Sequence, residues 1–121
     1  MANIDPCRMC EIGVRSDDDL LTTGRRITSL LQVNEFEVRD GINIGGGEYV
    51  RFFLDECECY LIDNRNEDVH IDELSEFEFY IWGEATEPDE SGSVIALWNQ
   101  VAQSVTTALT RAGIDLRVNS G

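Results

Sequence analysis

The sequence predicts an α+β domain in which an N-terminal helix precedes an antiparallel meander of about four strands, and a C-terminal amphipathic helix packs on the sheet. Three features indicate this order: a capped helical stripe, a series of alternating apolar runs, and a longer stripe with apolar steps of three and four. We expect one domain across the 121 residues. It is divided into an N-terminal arm (1–15), an α+β core (16–113) and a short tail (114–121).

The first helix is predicted over about residues 17–32. Ser16 stands where it can cap the first turn, and Asp19 follows three residues later as its reciprocal partner in a capping box. The apolar stripe that would pack on the sheet consists of Leu20, Ile27, Leu30 and Leu31.

The middle of the chain alternates as strands do. Phe36 and Val38 begin the meander, and the glycines at 45–47 predict a hairpin tip. The next two apolar runs have opposite parity, which predicts a tight turn or a bulge near Asp55 and Glu56. These runs are Val50, Phe52 and Leu54, followed by Cys57, Cys59 and Leu61.

The last predicted strand is followed by the longest helix. One face of the strand is expected to carry Phe77, Phe79 and Ile81. An acidic loop then leads to Ser91 or Ser93, either of which can cap an amphipathic helix of about 19 residues. Gly113 is expected to end this helix in the left-handed conformation.

The chain is strongly acidic. It carries 24 acidic residues against nine arginines and no lysine, which gives a formal net charge of −15. Binding of nucleic-acid phosphates needs a basic surface, so this balance argues against it. Four interpretations stay open: a highly solvated surface, including adaptation to high salt; a face that matches a basic partner protein; mimicry of DNA phosphates; and a negative pore wall that repels passing DNA.

The sequence predicts neither catalysis nor membrane insertion. No stretch of about 18 apolar residues and no apolar leader is visible, so we expect a location in the cytoplasm or in an assembled particle. His70 is the only histidine, and no nucleophile motif surrounds a cysteine. We therefore expect no enzyme activity, no catalytic residue and no cofactor, and a cysteine paired with His70 is the one arrangement to check.

The four cysteines form the most specific chemical pattern. Cys7 and Cys10 are a CxxC pair, and Cys57 and Cys59 are separated by one residue. The four thiols fit three states, namely a tetrahedral zinc site, disulfides of a particle that matures outside the cell, or reduced thiols in a core. These states stay open, and we assign no metal ligand.

Tyr80 and Trp82 lie on the otherwise polar face of the last strand. Aromatic rings in such positions are either covered by a second packing layer of the same chain or form an interaction patch. Both residues are therefore candidate interface residues.

The order of elements over residues 16–112 resembles the tail-terminator or tail-completion proteins of long-tailed phages, which are head–tail connector proteins. In that family an alternating strand with a tryptophan-containing edge precedes the last helix. The matching residues are Phe77, Phe79, Ile81 and Trp82, followed by a helix over residues 96–109. The CxxC-bearing arm and the short tail depart from the family pattern.

The resemblance implies a non-enzymatic structural protein of the virion, a homo-oligomer that forms a closed, sixfold ring during virion assembly in the host cytoplasm. Such a ring would end tail growth, contact copies of itself and neighbouring virion proteins, and let DNA pass through an acidic channel without binding it. No membrane contact is implied. The alternative is a cytoplasmic acidic inhibitor of a basic toxin or nuclease, either an immunity protein or a DNA mimic, which would not form larger assemblies.

Overall fold

The computed structural model describes residues 10–40 and 47–119. In these ranges two helices, α1 (Leu20–Leu30) and α2 (Ile95–Arg111), accompany a six-stranded antiparallel sheet of order β2-β3-β4-β5-β1-β6. The strands are β1 (Glu11–Val14), β2 (Glu37–Asp40), β3 (Glu48–Leu54), β4 (Cys57–Asp63), β5 (Phe79–Ala85) and β6 (Leu116–Asn119). The predicted α+β class is therefore confirmed.

Two short strands distinguish this layout from the predicted one. β1 lies in the predicted arm and β6 in the predicted tail. They pair with each other, and β1 also pairs with β5, so β5 is an internal strand and Trp82 does not stand at a sheet edge. Four residues are too few for a recognisable alternation, and both strands depend on partners that are distant in sequence.

Both helices pack on the same face of the sheet, which we call the helix face. Its core includes Ile12, Ile27, Val50, Phe52, Leu61, Ile81, Trp98 and Leu109. The indole Nε1 of Trp98 donates a hydrogen bond to the backbone oxygen of Cys10 at 2.8 Å. This bond ties the first turn of α2 to the residue before β1, and it gives the buried indole N–H an acceptor inside the core.

α1 begins after Asp19, whose side-chain oxygen accepts a hydrogen bond from the backbone N–H of Thr22 at 2.8 Å. Asp19 is thus the cap, and the predicted cap at Ser16 is wrong because the first turn starts later. The predicted stripe also differs from the buried face. Ile27 is buried, whereas Leu30 is exposed.

The observed α2 and β3–β4 hairpin agree more closely with what the sequence predicts. The Ser93 hydroxyl accepts from the first two N–H groups of α2 at 3.2 and 3.4 Å, and Gly113 has a φ of 82°. Asp55 and Glu56 have φ values of 48° and 66°, as a tight two-residue hairpin turn requires. Neither described helix combines the length and the apolar character needed to cross a bilayer.

The opposite face of the sheet is partly covered by residues 64–77, which we call the cap segment. It contains two 3-10 turns, Glu67–Val69 and Asp72–Leu74. The buried side chain of Asn64 organises it: Oδ1 accepts from the N–H of Ile71 at 2.7 Å, and Nδ2 donates to the oxygen of Leu74 at 2.8 Å. A second apolar cluster forms underneath and contains Tyr49, Tyr60, Ile62, Leu74, Phe77 and Tyr80.

Phe77 belongs to this second cluster, on the face opposite to the predicted one. The alternation of Phe77 with Phe79 was misleading, because the strand begins only at Phe79 and Phe77 still belongs to the cap segment. The guanidinium groups of Arg15 and Arg117 lie 5.4 and 5.2 Å from the Phe77 ring centroid.

Candidate functional site

The described cysteines lie in the core of the helix face. Cys10, Cys57 and Cys59 are buried, free thiols. Burial is the main cause that raises their pKa, to about 11 for Cys10 and Cys57 and to about 12 for Cys59. Within residues 10–40 and 47–119, no group of three or more His, Cys, Asp or Glu side chains is placed to hold a metal ion. Cys7 lies outside the described residues.

His70 lies in the cap segment, on the other side of the sheet from Cys57 and Cys59. Its Nδ1 is 2.6 Å from the backbone oxygen of Asn64. Because a carbonyl only accepts, this nitrogen carries a proton and donates. Nε2 lies 3.3 Å from a carboxylate oxygen of Asp72. The sheet separates the imidazole from the thiols, so the described residues do not form the cysteine–histidine pair.

The two candidate interface residues differ in exposure. Tyr80 is 5% exposed, and its hydroxyl donates to the backbone oxygen of Val69 at 2.7 Å. Burial, together with the charge of Glu11, raises the pKa of Tyr80 to about 12. Trp82 is only partly buried and stacks on Tyr60 with the ring centroids 4.3 Å apart. The cap segment therefore covers Tyr80, and Trp82 remains accessible.

Beyond the cap segment the same face of the sheet carries three aromatic rings, of which Phe53 is exposed, Trp82 is partly buried and Tyr60 is only 8% exposed. We call Phe53, Tyr60 and Trp82 the aromatic patch. Phe53 is 53% exposed, the largest exposure among the large apolar side chains of the described chain. Arg51 stands between these rings: its guanidinium carbon lies 5.4 Å from the Phe53 centroid, and it is the cross-strand partner of Tyr60.

Carboxylates border the aromatic patch, and we call this border the acidic rim. It consists of Glu58 and Glu84, which lie on the same face of the sheet as Tyr60 and Trp82. Glu58 and Glu84 are direct cross-strand partners, and the backbone N–H of Thr86 donates to the oxygen of Glu56 at 2.9 Å, which joins the hairpin turn to the acidic loop. Burial, and then a hydrogen bond with Glu58, raises the pKa of Tyr60.

Among the described residues, Arg51 is the one cation that forms ion pairs in this region. Arg51 donates to Glu58 at 3.1 Å and to Glu37 at 2.8 Å. Among the residues that the structure describes, Glu84 has no ion pair. The rim therefore keeps an excess of negative charge beside exposed aromatic rings.

Two further apolar surfaces lie at the edges of the sheet. Among the described strands, β2 pairs only with β3 and β6 pairs only with β1. At the β2 edge, Val38 is 40% exposed and lines a groove of about 540 Å³ with Leu20 and Leu21. At the β6 edge, Val118 is 39% exposed and lines a groove of about 330 Å³ with Ala102 of α2.

Sequence reasoning missed Phe53, Val38 and Val118 as surface residues. Phe53 carried one usable signal, since it has the outward parity between the inward-facing Phe52 and Leu54. The valines carried none, because their exposure depends on which strands become the edges of the sheet.

The described chain thus presents two apolar edges and one aromatic patch with an acidic rim. Comparisons with protein-family models, with curated proteins and with solved structures find no match to this chain.

Proposed function

We propose that this protein is a non-enzymatic structural subunit that forms a homo-oligomeric ring in a viral tail or neck assembly. The observation that carries the proposal is the placement of two different apolar surfaces at opposite edges of one sheet. A ring is built from a contact that joins unlike surfaces of neighbouring copies and repeats until it closes. The β2 edge and the β6 edge provide such a pair.

The directions of the two exposed valines fit a contact between these edges. Val38 is the cross-strand partner of Val50, and Val118 is the partner of Ile12. Val50 and Ile12 both point into the core of the helix face, so Val38 and Val118 lean toward the helix layer as well. Joining the β6 edge of one copy to the β2 edge of the next would extend the sheet and cover both grooves.

The edges also carry features that restrict pairing to a matching partner. Each edge strand has four residues. On β2, Val38 is flanked by Glu37 and Arg39, which form an ion pair at 3.2 Å. Short, charged edge strands resist unspecific strand addition, whereas a complementary edge can still gain backbone hydrogen bonds.

The charge supports the viral setting, and so does the order of a helix, antiparallel strands and a longer helix, in which the chain resembles tail-terminator proteins. A ring of subunits with a net charge of −15 each would present a strongly negative wall to passing DNA. Like-charge repulsion would keep DNA from adhering, and this repulsion weakens as salt screens it. The neighbouring proteins would then be other components of the virion.

Light scattering after gel filtration tests the proposal. At tens of micromolar the protein should form species larger than a dimer, and Val118→Asp should reduce them to monomers because it places a charge in the edge contact. Gln100→Glu adds the same charge at an exposed position of α2 outside both edge grooves and should assemble as the unmodified chain does. A chain that stays monomeric would contradict the ring.

The acidic inhibitor is the second candidate, and the acidic rim is the observation that favours it. An inhibitor would present these carboxylates to a basic active site. Copurification as a strict one-to-one complex with a basic toxin or nuclease, with that enzyme inhibited, would establish the inhibitor and remove the ring proposal.

A further inference from the structure

We propose that the aromatic patch and the acidic rim form a docking site for an arginine-bearing segment of a partner protein. The site is separate from the ring contact, because it lies on the open face of β3, β4 and β5 and not at the β2 or β6 edge. The site would therefore give the protein an additional binding function, whether or not copies of the chain assemble.

The chain leaves this part of the sheet uncovered. The cap segment covers Tyr80, and Tyr60 is buried between Tyr49 and Trp82, whereas Phe53 and part of Trp82 stay in contact with solvent. Phe53 on β3 and Trp82 on β5 lie on the same face, on either side of β4. Exposed apolar side chains grouped on one face mark interaction sites more often than scattered ones do. Phe53 and Trp82 belong to internal strands of the sheet. A further strand could pair only at a sheet edge and would not cover these rings.

Glu84 carries a negative charge that no ion pair within the described residues offsets. Glu58 and Glu84 face each other directly across β4 and β5. Like charges in this position destabilise a sheet. Arg51 offsets the charge of Glu58 with a bond of 3.1 Å, whereas Glu84 has no ion pair within the described residues. A positively charged group from outside the chain would remove this repulsion.

The chain already holds a guanidinium group of its own between an aromatic ring and a carboxylate on this face. Arg51 lies over the ring of Phe53 and donates to Glu58, and its side chain is only 23% exposed. An incoming arginine would repeat this arrangement one strand further on, with its guanidinium plane on Trp82 and its donors toward Glu84. Arginine suits such a site better than lysine because its planar group stacks on a ring and bonds a carboxylate at the same time.

The surroundings would assist the encounter. The hairpin turn and the acidic loop add carboxylates at the same end of the sheet, where Glu56 and Glu87 line a groove beside α2, and the hydrogen bond from Thr86 to Glu56 holds the two loops together. A negative surface of this kind attracts a basic segment and raises its association rate. Charge complementarity therefore identifies the occupant as a basic protein segment.

Fluorescence anisotropy with two labelled peptides tests the docking site. One peptide carries arginines separated by glycines, and the other carries lysines at the same positions. At roughly 0.15 M salt the arginine peptide should bind about fivefold more tightly than the lysine peptide. Glu84→Gln should weaken binding of the arginine peptide by about fivefold. The matched control is Glu73→Gln, which removes one exposed charge from the cap segment and should change binding less than about twofold.

Trp82 provides a second, independent variant. Trp82→Phe keeps a ring and should retain part of the preference for arginine, whereas Trp82→Thr should abolish that preference while leaving attraction by overall charge. Circular dichroism confirms that each variant is folded. Equal affinity for the two peptides, or equal effects of Glu84→Gln and Glu73→Gln, would overturn the docking site, since binding would then follow net charge alone.

The docking site and the ring can fail separately. Val118→Asp should prevent assembly and leave the affinity per subunit for the arginine peptide unchanged. Glu84→Gln should weaken peptide binding and leave assembly unchanged. Loss of both properties in either variant would contradict the separation of the two surfaces.

Discussion

The indole ring of Trp98 lies directly over Gly83, where α2 packs on β5. A Cβ atom on Gly83 would lie 2.7 Å from Cε3 of Trp98 and 3.0 Å from the backbone oxygen of Glu58. Only glycine therefore allows the helix to approach the sheet this closely. Because Glu84 follows Gly83 on the opposite face, the same packing also fixes the strand that carries the docking site.

Gly83→Ala should lower the free energy of unfolding by about 1–3 kcal/mol, because the added methyl group overpacks the contact. Urea denaturation measures this loss. In a Trp98→Leu background the same substitution should cost less, since the ring that it meets is absent. An equal cost in both backgrounds would show that the indole contact is not the cause.

Asn64→Asp should destabilise the cap segment at neutral pH. The introduced carboxylate can still accept from Ile71, but its second oxygen would face the backbone oxygens of Leu74 and Phe77, which Nδ2 now bonds at 2.8 and 3.3 Å. We expect a loss of about 3 kcal/mol, because two buried acceptors lose their donor and a charge is buried. Urea denaturation at pH 7 measures it.

The same substitution should respond to pH in a defined direction. Repulsion by the carbonyls raises the folded-state pKa of the introduced carboxyl above its unfolded value of about 3.9. Its protonated form can donate to a carbonyl, so the defect should be small at about pH 4 and should grow as the pH rises through the raised pKa. A defect that is independent of pH would show that this repulsion is not the cause.

The three described cysteines should resist alkylation while the protein is folded. Their pKa values of about 11 to 12 leave little thiolate at pH 8, and their side chains are buried. The neutral, buried thiols also stabilise the folded protein. Because each folded-state pKa is raised above 9.0, this stabilisation is present below pH 9 and is lost as the pH rises toward about 11. Peptide mapping by mass spectrometry follows the labelling. Rapid alkylation at pH 8, or a bound metal lost on modification, would contradict buried reduced thiols.

The elements that could be predicted from sequence are those with strong local signals. α2 has apolar steps of three and four over several turns and a glycine at its end, and the β3–β4 turn follows from the change of apolar parity at Asp55 and Glu56. β1 and β6 were missed because their identity as strands comes from pairing with β5 and with each other. Local propensity carries no information on that pairing.

The candidate site was predicted only in part. The aromatic parity of β5 indicated that Tyr80 and Trp82 share a face, and the structure confirms this. Tyr80 is covered and Trp82 is accessible because of the position of the cap segment, which is held by the buried amide of Asn64. Nothing in the local pattern indicates that residues 64–77 fold back over one ring and stop short of the other.

Mixing two edge variants tests the ring most directly. Val38→Asp damages the β2 edge and leaves the β6 edge intact, and Val118→Asp does the reverse. Each variant alone should be monomeric. An equimolar mixture should form a one-to-one dimer and nothing larger, because one intact β2 edge then meets one intact β6 edge and growth stops there. Light scattering distinguishes these masses. A mixture that stays monomeric, or a single variant that still forms the full oligomer, would contradict a ring built from these two edges.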